Sequence, residues 1–196
     1  MTVDPRVRPR KRAFSLLELL TVIAIIAILA TLTIPSISGL QRSFNLSKSA
    51  SLLRDNLQFA RQQAISRNVA VTASFCKQKD DFDGTSFNTL LLTVLNPDNS
   101  RTLVSKPIRL PDGFGIAEDA AWSPIMNLSQ TNISAGSLTN VPCRQFRFRP
   151  NGATDLPSST NWFWTVFNYR ASASPAENFI TLQIDPRTAR IISYQP

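Results

Sequence analysis

The sequence predicts an α+β protein in which one long N-terminal helix packs on an antiparallel, β-rich head. An almost uninterrupted apolar run extends from Leu19 to Ile34, and a helical repeat of apolar residues continues after it to about Asn68. Beyond Asn68, short stretches rich in β-branched and aromatic residues alternate with turn residues, which is typical of antiparallel strands. The length of 196 residues fits one sizeable domain with one extension.

Residues 1–13 form a basic segment in front of the apolar run. They contribute half of the net charge of +8, through Arg6, Arg8, Arg10, Lys11 and Arg12 against Asp4. Basic residues that flank an apolar segment stay on the cytoplasmic side, so this segment predicts a single-pass protein with a cytoplasmic N-terminus. In a bacterium, the chain after Pro35 would then lie in the periplasm.

The N-terminus fits three interpretations. A secretory signal peptide and a plain membrane anchor share this outline, although residues 30–40 contain no clean Ala-x-Ala cleavage site. Glu18 argues against both, because an ionisable group at the centre of a membrane helix costs about 2.5–3.5 kcal/mol and requires a partner. In the third interpretation, cleavage after Ala13 creates an α-amine at Phe14 that neutralises Glu18.

Residues 12–20, which read Arg-Ala-Phe-Ser-Leu-Leu-Glu-Leu-Leu, resemble the cleavage and methylation signature of type IV pilins and type II secretion pseudopilins. The resemblance implies that a prepilin peptidase cuts between Ala13 and Phe14, that the Phe14 amine is methylated, and that Glu18 guides assembly. Members of these families usually have glycine where this chain has Ala13. The implied partners are the prepilin peptidase, other pilins or pseudopilins, an inner-membrane assembly platform and, before assembly, membrane lipid.

Pro35 falls inside the predicted helix, where the same families commonly have a proline. Proline removes one helical hydrogen bond and clashes with the preceding turn, so it either kinks the helix or ends it. Helical periodicity resumes directly after Pro35, which favours a kink. The predicted organisation is a leader over 1–13, a transmembrane and assembly helix over 14–35, an amphipathic second half over 36–68, and a β-rich periplasmic head over 69–196.

The second half of the helix is predicted from apolar residues that recur at three- and four-residue steps. The predicted buried stripe is Ile37, Leu40, Phe44, Ala50, Leu53, Leu57, Ala60 and Ala64, with Ser47 in its one polar position. Charged residues such as Arg54 and Arg61 occupy the other faces. They indicate a solvated surface.

Seven strands are predicted in the head from period-two patterns bounded by turns, at Val69–Phe75, Thr89–Leu95, Thr102–Ile108, Gln145–Arg149, Trp162–Asn168, Phe179–Asp185 and Arg190–Tyr194. The segment Asp185–Thr188 predicts a turn that joins the last two strands as a hairpin. Residues 110–142 are rich in Asn, Ser, Thr, Gly and Pro, and they predict a long irregular loop. In Trp162-Phe163-Trp164, alternation places the two tryptophans on one face, either in the core or as an exposed pair.

Cys76 and Cys143 are the two cysteines of the chain. The periplasm permits a disulfide, but the sequence does not show whether their Cα atoms come within about 7 Å, so a disulfide and two separate thiols both stay open. The chain contains no histidine, the commonest general base and metal ligand. The acidic segment Asp80–Gly84 fits a turn better than a calcium loop. We therefore predict a non-enzymatic protein with no catalytic site, metal or cofactor.

Two further segments resemble H-class minor pseudopilins and FimT-like minor pilins. Residues 57–71 resemble the helix-to-strand junction of these proteins, and residues 146–152 resemble their Phe-x-Pro-x-Gly turn. FimT-like members bind DNA through a basic C-terminal segment that usually reads Gly-Arg-x-Arg. Here the segment begins Ala189-Arg190 and lacks the glycine and the second arginine. Candidate DNA contacts are Arg190 together with Arg147 and Arg149, which share a predicted strand face. A solvated strand face is the favoured alternative.

The predicted function is that of a structural minor pseudopilin or minor pilin with a pilin-like α+β fold. It is made in the bacterial inner membrane and then joins a periplasmic type II secretion pseudopilus or a type IV pilus. The alternative is a FimT-like minor pilin that binds DNA for uptake. Nucleic acid is the less favoured partner.

Overall fold

A computed structural model describes residues 15–81, 84–98, 100–171, 175 and 178–195, with the side chains of residues 31–40 excepted. The proposed cleavage residues Ala13 and Phe14 lie outside this part of the chain. The helix α1 spans Leu16–Arg67. The chain divides into two compact units, residues 1–41 and 42–196, and the boundary falls within α1. None of the helices traced in the described residues has the length and hydropathy needed to cross a membrane.

The C-terminal end of α1 is set by Asn68, which adopts a left-handed conformation with φ of 52°. The Asn68 N–H donates to the Ile65 carbonyl, and the Val69 N–H donates to the Ala64 carbonyl. This hydrogen-bond pair is a Schellman motif, which satisfies carbonyls that the last helical turn leaves free. Asparagine tolerates the conformation better than most residues, so the sequence itself ends the helix where the chain turns into the head.

The head contains an antiparallel sheet whose strands are, within the described residues, β1 Val71–Lys79, β2 Thr85–Leu95, β3 Arg101–Leu103, β4 Ile108–Arg109, β5 Phe114–Ile116, β6 Gln130–Ala135, β7 Leu138–Phe148, β8 Trp162–Asn168, β9 Ile180–Ile184 and β10 Ile191–Tyr194. The sheet order is β10-β9-β8-β5-β2-β1-β7-β6, and β3 and β4 also pair with β2. The antiparallel β-rich head on a long helix confirms the predicted α+β fold class.

The strand predictions hold best at the C-terminal end of the chain. β8 has the predicted bounds, and β9 and β10 form the predicted hairpin through residues 185–190. The Asp185 carboxylate fixes the turn, because it accepts hydrogen bonds from the Arg187 N–H and the Thr188 hydroxyl. The predicted strand at 102–108 is wrong in its middle, where residues 104–107 separate β3 from β4.

The prediction of a long irregular loop over residues 110–142 is also wrong. This segment contains β5, the 3-10 helix Pro124–Asn127, β6 and the beginning of β7. Polar residues such as Asn132 and Ser134 are exposed while Ile133 between them is buried, so β6 has a single fully buried member. Pairing with the apolar side of β7 stabilises β6, whose own sequence carries little strand signal.

The main core lies between α1 and one face of the sheet. The helix contributes Leu46, Ala50, Leu53, Leu57, Ala60 and Ala64, and the sheet contributes residues such as Phe75, Phe146 and Trp164. The predicted stripe is therefore correct from Ala50 onward and wrong at Phe44 and Ser47, whereas Ile37 and Leu40 lie among the side chains that are not described. Phe44 is 70% exposed and Ser47 is exposed, whereas Leu46 and Ser49 are buried. The buried Ser49 hydroxyl donates to the Asn45 carbonyl, which lets a polar residue occupy the core face.

Trp162 and Trp164 are buried, with exposed fractions of 6% and 0%, so the core interpretation of this aromatic pair is confirmed. The Trp162 indole N–H donates to the Pro157 carbonyl, and the Trp164 ring packs against Phe75.

A second, smaller core lies on the opposite face of the sheet. It contains Cys76 and Cys143, which occupy directly opposite positions on β1 and β7 and form a disulfide. Leu91, Ile133 and Val141 pack around the sulfur atoms. The disulfide thus joins two neighbouring strands inside a buried apolar cluster.

Removing the disulfide is expected to lower the free energy of unfolding by about 4 kcal/mol, since it closes a loop with a sequence separation of 67 residues. Urea denaturation of the full chain in detergent, followed by tryptophan fluorescence, measures the loss in a Cys76→Ala/Cys143→Ala variant. The reduced wild-type chain is the matched control, because it loses the bond but keeps both side chains. Equal midpoints for oxidised and reduced wild type would contradict the prediction.

Candidate functional site

The first described turns of α1 expose apolar side chains in every direction. Ten large apolar residues between Leu16 and Leu29 are exposed, by amounts that range from 46% at Val22 to 81% at Leu16. Adjacent helical residues lie about 100° apart, so neighbours such as Leu19, Leu20, Val22 and Ile23 cover all sides of the helix. A helix that is apolar on all sides is stable when lipid or other helices surround it.

Glu18 is the one ionisable residue in this apolar stretch, residues 15–30. It lies in the first turn of α1 and is exposed. The Thr21 hydroxyl donates to the Glu18 backbone carbonyl, and the carboxylate is left to interact outside the helix. The helix dipole stabilises a carboxylate near the N-terminus of a helix. The charge becomes costly only when apolar groups surround this end of the helix.

Position 35 lies in the interior of α1, whose helical backbone continues on both sides of it. The helix therefore does not end at Pro35. The predicted kink stays a prediction, as do the roles proposed for Ala13, Phe14 and Glu18.

The arginines predicted as DNA contacts lie in different places. Arg147 is exposed on β7 between the buried residues Phe146 and Phe148, and Arg149 directly follows the strand. Arg190 precedes β10 and lines an open groove of about 750 Å³ between the end of α1 and the β9–β10 turn, where Arg61 also lies. Neither Arg147 nor Arg149 lines this groove.

Ala189, at the position where FimT-like proteins usually have glycine, has φ of 52° and is buried. This is the left-handed region that glycine favours, so the turn keeps a backbone shape suited to glycine without having one.

Arg101 is a neighbour of Arg147 that the sequence did not identify. Burial and the positive charge of Arg147 lower the pKa of Arg101. Arg101 belongs to β3 and Arg147 to β7, and they are 46 residues apart in the sequence. Only the register of the four strands β3, β2, β1 and β7 shows that they lie on one face of the sheet. No local sequence pattern could have found this pair.

An ion pair between a buried carboxylate and a partly exposed guanidinium joins the β1–β2 turn to the residues that follow β8. The Asp80 side chain is 0% exposed, and its carboxylate accepts hydrogen bonds from the Arg170 guanidinium, the Tyr169 hydroxyl and the Gly84 N–H. Burial, together with the hydrogen bond to Asp80, raises the pKa of Tyr169. The hydrogen bond to Asp80 also raises the pKa of Arg170. Asp80 also closes the connection between β1 and β2, because its N–H donates to the Gly84 carbonyl while its carboxylate accepts from the Gly84 N–H; residues 82 and 83 of the acidic segment lie outside the described residues.

Comparison with known proteins gives two family matches. The profile described as prokaryotic N-terminal methylation motif matches residues 8–34, and the profile described as type II transport protein GspH matches residues 49–177. Among solved structures, the minor pseudopilin EpsH from the type 2 secretion system of Vibrio cholerae is similar at 11% identity and a TM-score of 0.44, over 78% of this chain and 98% of that one. No curated protein sequence gives a significant match.

Proposed function

The chain belongs to the family of type II transport protein GspH, and from this premise we propose that it is a minor pseudopilin that assembles with other pseudopilins in a type II secretion pseudopilus. The GspH profile covers more than half of the chain, and the methylation motif covers the segment that holds Ala13, Phe14 and Glu18. Proteins of this family are structural, and we propose that this chain is likewise a filament subunit without catalytic activity.

The observation that carries the proposal is the apolar surface around α1 between Leu16 and Leu29. Water does not tolerate such a surface, so the helix requires lipid before assembly and other helices after it. Glu18 at the start of this surface adds specificity, because only a cationic partner offsets the cost of burying its carboxylate. A free α-amine at Phe14 of a neighbouring subunit is such a partner.

The proposal includes a definite order of events. The basic leader holds the N-terminus in the cytoplasm, α1 anchors the chain in the inner membrane, and the head folds in the periplasm. A prepilin peptidase then removes residues 1–13 and methylates Phe14. The assembly platform finally transfers the subunit from lipid into the filament. The disulfide between Cys76 and Cys143 supports an oxidising compartment for the head.

No observation favours the DNA-uptake alternative. A DNA-binding face needs several cations in a row along the phosphate backbone. The three candidate arginines do not form one, since Arg190 lines a groove that lacks Arg147 and Arg149.

Mass spectrometry of the chain purified from membranes is expected to find N-methylated Phe14 as its first residue. The chain should lose this processing in cells that lack the prepilin peptidase. Phe14→Met, which keeps a residue type that these peptidases accept, is the matched control and should still be cleaved. A membrane-bound chain that keeps residues 1–13 in cells with an active peptidase would contradict the proposal and favour a plain anchor.

A further inference from the structure

Two arginines from distant parts of the sequence flank a row of small polar residues on the face of the sheet that is opposite α1. In this row Leu103 of β3 pairs with Thr93 of β2, Thr93 pairs with Thr72 of β1, and Thr72 pairs with Arg147 of β7. Directly opposite residues point to the same face of a sheet, as do residues two apart along a strand. Arg101, two residues before Leu103, therefore shares this face with Arg147.

Thr72 and Thr93, which lie between the arginines, are almost fully buried, at 2% and 0% exposed. The Arg101 guanidinium reaches over Thr93, with 3.5 Å between Arg101 Nη1 and Thr93 Oγ1. In the next row, Ser74 lies opposite Gln145. Their buried Ser74 Oγ and Gln145 Oε1 atoms have no hydrogen-bond partner among the described residues. This unused hydrogen-bonding capacity lies beside Arg147, on the side that faces away from Arg101.

The charges around this row are unbalanced. No ion pair joins Arg101 or Arg147 to an acidic side chain in the described part of the head, and the two cations repel each other. The nearest acids along the chain are engaged elsewhere: the Asp155 carboxylate accepts from the Arg147 backbone N–H, and the Asp98 carboxylate accepts from the N–H and hydroxyl of Ser100. An anion between the two guanidinium groups would relieve the repulsion.

We propose that Arg101 and Arg147 bind one oxyanion between them, and that this anion is a carboxylate of a neighbouring protein chain. Guanidinium groups present parallel N–H donors that match a carboxylate, and charge-assisted bonds of this kind are the strongest hydrogen bonds available to a protein surface. Arg101 and Arg147 lie on one face of the sheet, and the Arg101 guanidinium leans over Thr93, which belongs to the row that ends at Arg147. The pair therefore fits a single carboxylate better than a DNA strand, whose phosphates repeat along a line. The choice of a protein carboxylate rests on the proposed filament function, whereas anion binding itself does not.

The test measures the fluorescence anisotropy of a labelled hexaglutamate peptide with the full chain in non-ionic detergent at low salt. Saturable binding is expected, and Arg101→Gln and Arg147→Gln should each weaken it by about tenfold or more, which is the effect of losing a charge-assisted bidentate contact. Arg187→Gln is the matched control, because it removes the same charge from an exposed turn, and it should change the affinity by less than about twofold. Circular dichroism verifies that each variant is folded.

Three outcomes would overturn the inference. The first is the absence of saturable binding, and the second is an equal loss in all three variants, which would indicate a response to net charge alone. The third is tighter, Arg147-dependent binding of a labelled DNA duplex, which would replace the carboxylate by a nucleic acid. Each leaves the minor pseudopilin proposal intact, because that proposal is tested separately by processing at Phe14.

Discussion

Replacing Glu18 with alanine is expected to abolish assembly while membrane insertion stays normal. In the filament, α1 would be surrounded by apolar helices, and the loss of the Glu18 carboxylate would leave a neighbouring Phe14 amine charged and unpaired. Breaking a buried pair in this way costs about 3 kcal/mol or more, which corresponds to a reduction of roughly 100-fold in the affinity of the subunit for its neighbours. Quantitative immunoblots of sheared filaments and of washed membranes measure the two properties.

Two further variants of Glu18 distinguish the effect of the side-chain charge from the effects of side-chain size and of the position of the carboxylate. Glu18→Gln keeps the size of the side chain and should fail as Glu18→Ala does, whereas Glu18→Asp should recover part of the assembly. Asp55→Ala is the matched control, because Asp55 is an exposed acid on the same helix and pairs only with the adjacent Arg54 in the contacts described for it. Normal recovery of Glu18→Ala in sheared filaments would refute the proposed role.

The elements that could be predicted from the sequence are those that local chemistry determines. The helix ends at Asn68 because that residue adopts the left-handed conformation itself, and the β9–β10 turn closes because Asp185 accepts hydrogen bonds from residues two and three positions later. β8 has a continuous strand pattern around two tryptophans that belong to the core. At Asn68 and Asp185 the stabilising partners lie within a few residues. The partners of β8 are distant, but its run of aromatic and β-branched residues is itself a local strand pattern.

The errors occur where distant pairing decides the structure. β6 forms against β7 although its polar residues favour a loop, and residues 104–107 interrupt a strand pattern because β3 and β4 pair with separate parts of β2. On α1, an apolar repeat through Phe44 competes with one through Leu46, and three-residue and four-residue steps fit both. The structure buries the repeat that contains Leu46. Ser49 can be buried with it because its hydroxyl donates to the Asn45 carbonyl.

The same distinction applies to the functional residues. The motif around Phe14 and Glu18 is contiguous, so a local pattern could identify it from the sequence. Arg101 and Arg147 become neighbours only through the register of four strands, and Asp80 meets Arg170 only because the β1–β2 turn lies beside the end of β8. The surface of the head proposed to bind an anion could therefore be found only in the structure.

Replacing Arg170 with glutamine is expected to lower the free energy of unfolding of the head, because it removes the cation beside the fully buried Asp80 carboxylate. Leaving a buried acceptor without one of its partners costs about 1–3 kcal/mol. Asp80→Asn should cost less, about 1–2 kcal/mol, since the remaining Arg170 side chain is 36% exposed and water can solvate it. Urea denaturation of the full chain in detergent, monitored by the fluorescence of the buried tryptophans, measures both losses.

The Asp80→Asn/Arg170→Gln double variant tests whether the buried charge causes the loss. It removes the carboxylate charge together with its partner, and the asparagine can still bond to Tyr169 and to the Gly84 N–H, so it should be more stable than Arg170→Gln alone. Arg109→Gln is the matched control for a lost arginine, because its pairs with Asp81 and Asp112 are exposed and should contribute less than about 1 kcal/mol. If Arg170→Gln were no more destabilising than Arg109→Gln, the ion pair would be solvated in the native head, and Asp80 could not be the anchor of the β1–β2 turn.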